Sequence, residues 1–210
     1  MEHEKSKIYT KLKRDIIEYK YKPGEILNEV ELAEEFGVSR TPIRTALQEL
    51  ERDSLLSIVP RYGAQVAAID FRNVKALFEV TRQLDPYATR LAVKKITKAQ
   101  LEELKAIILR LESLTATSNY QEAINEDEKF HEILFKACGN PWLLKTAETL
   151  HIHTERLWHF CNDYFDDMTM FTRTFRLIVT AIEEDDEDAA EKYAKEHIDD
   201  FLDRIRESLF

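Results

Sequence analysis

The sequence predicts a mainly α-helical protein: an N-terminal winged helix-turn-helix followed by an all-α antiparallel helical bundle. Three observations in the 210 residues carry that expectation. Residues 28–63 read as a short amphipathic helix, a glycine turn, a second amphipathic helix and a turn-tipped strand pair. From Phe71 onward apolar residues recur at helical spacing with no strand signal. The chain has only four glycines, and Gly24, Gly37 and Gly63 stand at the turns a winged helix needs. The fourth, Gly139, follows a helix end just before Asn140-Pro141. The expected division is 1–69 for the winged helix-turn-helix and 70–210 for the helical part.

The first helix is expected over Lys7–Tyr19, where Ile8, Leu12, Ile16 and Ile17 share one face. Pro23-Gly24 closes it. The next helix has Leu32, Ala33 and Phe36 as its apolar positions, and Gly37 can end it in the left-handed conformation without a Cβ penalty. Ser39 is placed as an N-cap, and Pro42 lies in the first turn, where a missing N–H costs little.

The second helix of the pair has two faces. Ile43, Ala46, Leu47 and Leu50 form the buried stripe, and Arg40, Thr41, Arg44 and Gln48 fall on the other side. Arginine at the start of such a helix can grip a guanine edge or a phosphate, and one good bidentate base contact is worth about 1–3 kcal/mol of discrimination. Leu55–Val59 and Ala64–Ala67 read as strands joined by Pro60-Arg61-Tyr62-Gly63. An arginine on such a thin hairpin suits a narrow minor groove. Two exposed arginines can also be a mere solvated face, and helix-turn-helix units occur in proteins that never touch DNA.

A resemblance favours DNA. Pro23-Gly24, Leu27-Asn28-Glu29, Glu31-Leu32-Ala33 and Gly37-Val38-Ser39-Arg40-Thr41-Pro42-Ile43-Arg44 resemble the GntR family of bacterial repressors over roughly residues 7–68. That resemblance implies DNA contacts from Ser39, Arg40, Thr41, Pro42 and Arg44, with Gly63 at the wing tip. Many relatives carry an arginine on the preceding helix where this chain has Val30, so that contact is expected to be missing.

The net charge of −10 looks wrong for a DNA binder until it is divided. Residues 1–68 hold 11 basic against 12 acidic side chains, and 69–210 hold 19 against 28. The acidic surplus belongs to the helical part, so DNA affinity must rest on local placement of cations and on two subunits acting together. No run approaches 18 apolar residues, the N-terminus has no signal-peptide character, and Cys138 and Cys161 lack metal-type spacing. A cytoplasmic protein without membrane contact is the expectation.

Helices are expected at about 71–95, 98–116, 119–138, 141–165, 169–184 and 186–208. Breaks fall at Thr97, Ser118, Gly139-Asn140-Pro141, Asp166-Asp167 and Asp185-Asp186. Such short connections favour antiparallel neighbours. Pro86 should bend the first of these helices.

Three polar residues face inward. Asp127 and His131 lie one turn apart along the buried edge marked by Ile124, Leu134 and Cys138. His197 sits in the stripe of Tyr193, Ala194, Ile198, Phe201, Leu202 and Ile205. A carboxylate and two imidazoles aimed at a core are costly unless bonded to each other, to a ligand or to a metal. Asp127-x-x-x-His131 with Phe130, Gly139-Asn140-Pro141, and the Asp186…Ala190…His197 spacing are similar to the helical ligand-binding domain of the FadR subfamily, the FCD-type domain. Many of its members bind a metal through one Asp and three His, beside a small organic acid.

That resemblance implies Asp127, His131 and His197 as three ligands for a divalent ion such as zinc, nickel or manganese. The fourth falls on Phe175, which cannot ligate. Either water or effector completes the site, or the metal is lost and the three side chains form a hydrogen-bond network. His151, His153 and His159 lie on the neighbouring helix, and helix faces give no reason to choose one as a replacement. Arg82 could counter a carboxylate effector or could form an interhelical ion pair.

The reading is a homodimeric DNA-binding regulator on a pseudo-palindromic operator, modulated by a small metabolite such as an organic acid. One alternative is a helical metal-dependent enzyme of the carboxylate-bridged type, suggested by the Glu-x-x-His of Glu128–His131. The other is a winged-helix protein-interaction module.

Overall fold

The computed structural model describes residues 2–114, 120–161 and 169–209. They divide into two compact units, 1–73 and 74–210.

The first unit contains α1 (Glu2–Ile17), β1 (Ile26–Leu27), α2 (Glu29–Phe36), α3 (Arg40–Arg52), β2 (Leu56–Val59) and β3 (Gly63–Val66). α1 packs on α3, and Leu12, Ile16, Ile43, Leu47 and Leu50 are buried, so the two apolar stripes read from the sequence are the core. Asn28 caps α2 by accepting from the Val30 N–H at 2.8 Å. Gly37 ends it with φ 64°. Ser39 occupies the N-cap position of α3 in extended backbone but makes no side-chain capping bond, which corrects half of its expected role.

The strands form an antiparallel sheet in the order β1-β3-β2, with Val59 opposite Gly63 and Ile26 opposite Gln65. β1 was not anticipated, because two residues are too few for an alternating pattern to register. It explains Gly63. That residue has φ 128°, and a Cβ there would lie 2.4 Å from the Leu27 carbonyl oxygen. Only glycine lets β1 close on the hairpin.

The second unit is helical throughout its described residues: α4 (Phe71–Val93), α5 (Lys98–Ser113), α6 (Tyr120–Ala137), α7 (Pro141–Phe160), α8 (Thr169–Glu183) and α9 (Glu187–Leu209). The expected breaks at Ser118 and Asp166-Asp167 lie outside the described residues. Those at Thr97 and Asn140 are built as anticipated. Thr97 and Gln100 form a capping box, and Asn140 Oδ1 accepts from Trp142 and Leu143 N–H with Pro141 in the first turn. α4 runs on through Pro86, which removes one donor without ending the helix.

α9 packs on α8, α8 on α5, α5 on α6, and α6 on α7. Ala88, Phe135, Cys138, Leu143 and Ala147 make an apolar layer from α4, α6 and α7. In α9, Ala194, His197, Ile198, Phe201 and Ile205 are buried, while Tyr193 and Leu202 are only half-buried.

Gly63→Ala is expected to weaken the closure of β1 on β3 by about 2 kcal/mol, from the strained backbone and the contact with a rigid carbonyl. Hydrogen exchange of the sheet amides should quicken roughly thirty-fold while the helical unit is unchanged. Unaltered exchange would refute this account of the glycine.

Candidate functional site

On α3, Arg40, Thr41, Arg44 and Gln48 are exposed, as is Ser39 before it, and Pro42 is half-buried. Both arginines are held by one carboxylate on α2. Glu29 Oε2 accepts from Arg40 Nη2 at 3.0 Å, and its two oxygens accept from Arg44 Nε and Nη2 at 3.1 and 2.8 Å. Arg44 foremost, then Arg40, keep the Glu29 carboxyl below its usual range against the opposing effect of partial burial. A surface pair of this kind adds little stability. Its effect is geometric: a planar guanidinium held by two bonds keeps its fork in one orientation.

Sequence reasoning missed Glu29. In sequence it is an acidic residue in the first turn of a helix, where the helix dipole favours it anyway. The turn between α2 and α3, which brings position 29 to positions 40 and 44, leaves no periodic signature. At the hairpin tip Arg61 has φ 72° and Tyr62 is 74% exposed, so both side chains stand in solvent. Val30 on α2 is exposed, an apolar side chain that offers DNA no cationic contact.

In the second unit the inward polar residues converge. His131 Nε2 and His197 Nε2 lie 3.8 and 3.5 Å from Asp127 Oδ1, an oxygen that is buried and has no hydrogen-bond partner. Donor atoms bound to one tetrahedral zinc stand about 3.3 Å apart, given bonds of about 2.0–2.1 Å. The donor set therefore fits a three-residue cation site with little movement. Thr174 Oγ1 lies 2.8 Å from His197 Nδ1 and fixes that ring with Nε2 toward Asp127. Burial, then the neighbouring imidazoles of His151 and His197, hold His131 well below the usual imidazole range, so it is neutral and able to ligate.

Phe175 is fully buried and stacks on Phe130, with ring centres 3.7 Å apart and planes within 4°. It lies 4.7 Å from the His197 ring and 5.9 Å from His131. The position at which the resemblance implies a fourth ligand is thus a closed apolar wall.

The structure adds Asp85, which sequence reasoning left out, and singles out His151 from the three histidines of its helix. His151 on α7 lies with its ring centre 4.6 Å from that of His131, and its Nε2 is 2.8 Å from Asp85 Oδ2 on α4. Burial alone would lower the His151 pKa; the Asp85 carboxylate outweighs it and raises it above the usual range. Asp85 Oδ1 and Thr81 Oγ1 are also buried without a hydrogen-bond partner. His153 and His159 belong to neither donor set.

These groups line one cavity of about 30 Å³, walled by Phe78, Trp158 and Phe201. Such a space holds one or two waters. Arg82 is a correction: it does not line the cavity, and its guanidinium donates to both oxygens of Asp199 at 2.5 and 2.8 Å. The ion-pair alternative describes it.

Residues 76–200 match the FCD domain family, and residues 4–66 match bacterial regulatory proteins of the gntR family. The chain is similar to the HTH-type regulator YdhC of Bacillus subtilis, 29% identical over 96% of this chain and 90% of that one. It is also similar to the HTH-type transcriptional repressor RspR of Escherichia coli, 26% identical over 95% and 88%. Among solved structures, Escherichia coli McbR/YncC has the same fold, with a TM-score of 0.81 at 21% identity over 97% of each chain.

Glu29→Gln should release both arginines and remove one negative charge. Binding to scrambled duplex DNA is expected to tighten roughly threefold, and discrimination in favour of a duplex selected from random sequence to fall about tenfold. Anisotropy titrations on the two duplexes measure both, and unchanged discrimination would remove Glu29 from base reading.

Proposed function

Since the chain belongs to the gntR family of bacterial regulatory proteins and carries an FCD domain, and so is a DNA-binding transcriptional regulator rather than an enzyme, we propose that a small organic acid bound in its helical unit governs its grip on DNA. Two chains, paired as a homodimer in the cytoplasm, would place two winged helices on a pseudo-palindromic operator. Ser39, Arg40, Thr41, Pro42, Arg44 and Gln48 enter the major groove, and Arg61, Tyr62 and Gly63 bring the wing to the groove beside it. Similarity to a protein described as a repressor favours repression as the outcome.

The observation that carries the effector half is the convergence of Asp127, His131 and His197 on a buried carboxylate oxygen without a partner. A divalent cation of the zinc, nickel or manganese class held by these three would supply a fixed positive charge suited to a carboxylate. The chain's own contributions lie beside it. The Asp85 carboxylate favours the protonated form of His151, and the unpartnered Thr81 hydroxyl can donate to an anion. Phe78, Trp158 and Phe201 offer apolar contact to a short carbon skeleton. The cavity is too small for a metabolite as it stands, so entry of an organic acid must part the helices that line it. That requirement ties ligand binding to a change of helix packing.

DNA selection from random duplexes, followed by replacement of Arg40 and Arg44 with alanine, tests the regulator's contact face. Affinity for the selected sequence should fall at least a hundred-fold, with helicity and melting temperature unchanged. Full retention would move the DNA contact elsewhere, and salt-insensitive binding would favour a protein-interaction role for the winged helix.

A further inference from the structure

We propose that Asp85, His131 and His151 form a second divalent-cation position, which shares His131 with the set of Asp127 and His197. The inference deepens the reading of this cavity as a cation-binding chamber. It does not require the Asp127 set to be filled.

The donor types and their placement carry it. One carboxylate and two imidazoles, from α4, α6 and α7, present ligating atoms within 4.8 Å of one another. The His151 ring is nearer to His131 than the His197 ring is, 4.6 against 5.3 Å between centres. Asp85 is 2% exposed and lines the cavity, and its Oδ1 is buried without a hydrogen-bond partner. A buried carboxylate with one oxygen satisfied by His151 and the other by nothing is a site with unused ligating capacity.

Phe175 sharpens the point. With Phe175 stacked on Phe130, that position of α8 offers no fourth donor to the Asp127 side. The donors of the chamber outside the Asp127 set, Asp85 and His151, come from α4 and α7. A cation there would take the place of the proton that His151 and Asp85 share, and the cavity has room for a water to complete its shell. Imidazole and carboxylate together suit zinc, nickel or manganese. Because the two sets share His131, each chain should hold one such ion at a time.

The test uses full-length protein stripped with a chelator and titrated with zinc(II) against a chromophoric competitor. Unmodified protein should bind one zinc per chain, and the variant Asp127→Asn/His197→Gln should still bind one, within about tenfold of the same affinity. Adding Asp85→Asn/His151→Gln to that variant should abolish binding, and circular dichroism of the metal-free forms controls for folding. In unmodified protein, which needs no folding control, zinc should shift the ring resonances of His151 as well as those of His131. If Asp127→Asn/His197→Gln binds none while Asp85→Asn/His151→Gln keeps one, the second position falls and the Asp127 site stands. Zinc that shifts the rings of His131 and His197 and leaves His151 unmoved also overturns the second position. If unmodified protein binds no zinc, both positions fall.

Discussion

The helical unit is organised around a polar interior that its own side chains do not fully satisfy. Two carboxylates, Asp85 and Asp127, are buried with one oxygen each lacking a partner, and three imidazoles stand among them. Leaving a buried charged acceptor unmet costs about 1–3 kcal/mol or more. A protein selected for stability alone would fill this space with apolar side chains, as it does at Phe130 and Phe175. The polar groups come from α4, α6, α7 and α9, so whatever satisfies them ties together four helices that separate stretches of sequence supply. A bound occupant therefore changes the cohesion of the unit as a whole.

The DNA-binding unit shows a related economy. Its net charge is near zero, and its reading helix has two arginines held by a single glutamate. Such a head cannot rely on bulk attraction to phosphate. It depends on the orientation of a few groups and on doubling by a second subunit, which makes its grip sensitive to small changes in geometry. A regulator whose affinity must be switched benefits from that sensitivity.

Local features of the fold were legible because local chemistry sets them. Gly37, the buried stripe of Ile43 to Leu50, the break at Thr97, and Asn140-Pro141 each specify backbone within a few residues. Asp127 and His131 could be read as inward-facing because they sit one turn apart on an otherwise apolar edge, and His197 because it interrupts an apolar stripe. What the sequence withheld depends on how helices register against each other. Nothing local says that Asp85 on α4 meets His151 on α7, 66 residues later, or that Glu29 reaches Arg40 and Arg44. The choice between the two roles open to Arg82 was hidden for the same reason, since Asp199 lies 117 residues away. Gly63 was read as a wing tip suited to DNA, and its backbone is equally constrained by a two-residue strand too short to notice.

The central claim is that occupancy of the polar chamber in the helical unit governs DNA affinity in the other. The most direct measurement compares the affinity of zinc-loaded and chelator-stripped full-length protein for one selected duplex at fixed salt and protein concentration. The account predicts affinities that differ at least tenfold, about 1.4 kcal/mol of coupling and within the range usual for allosteric proteins. Equal affinities, with zinc shown to be bound in one sample and absent from the other, would contradict it.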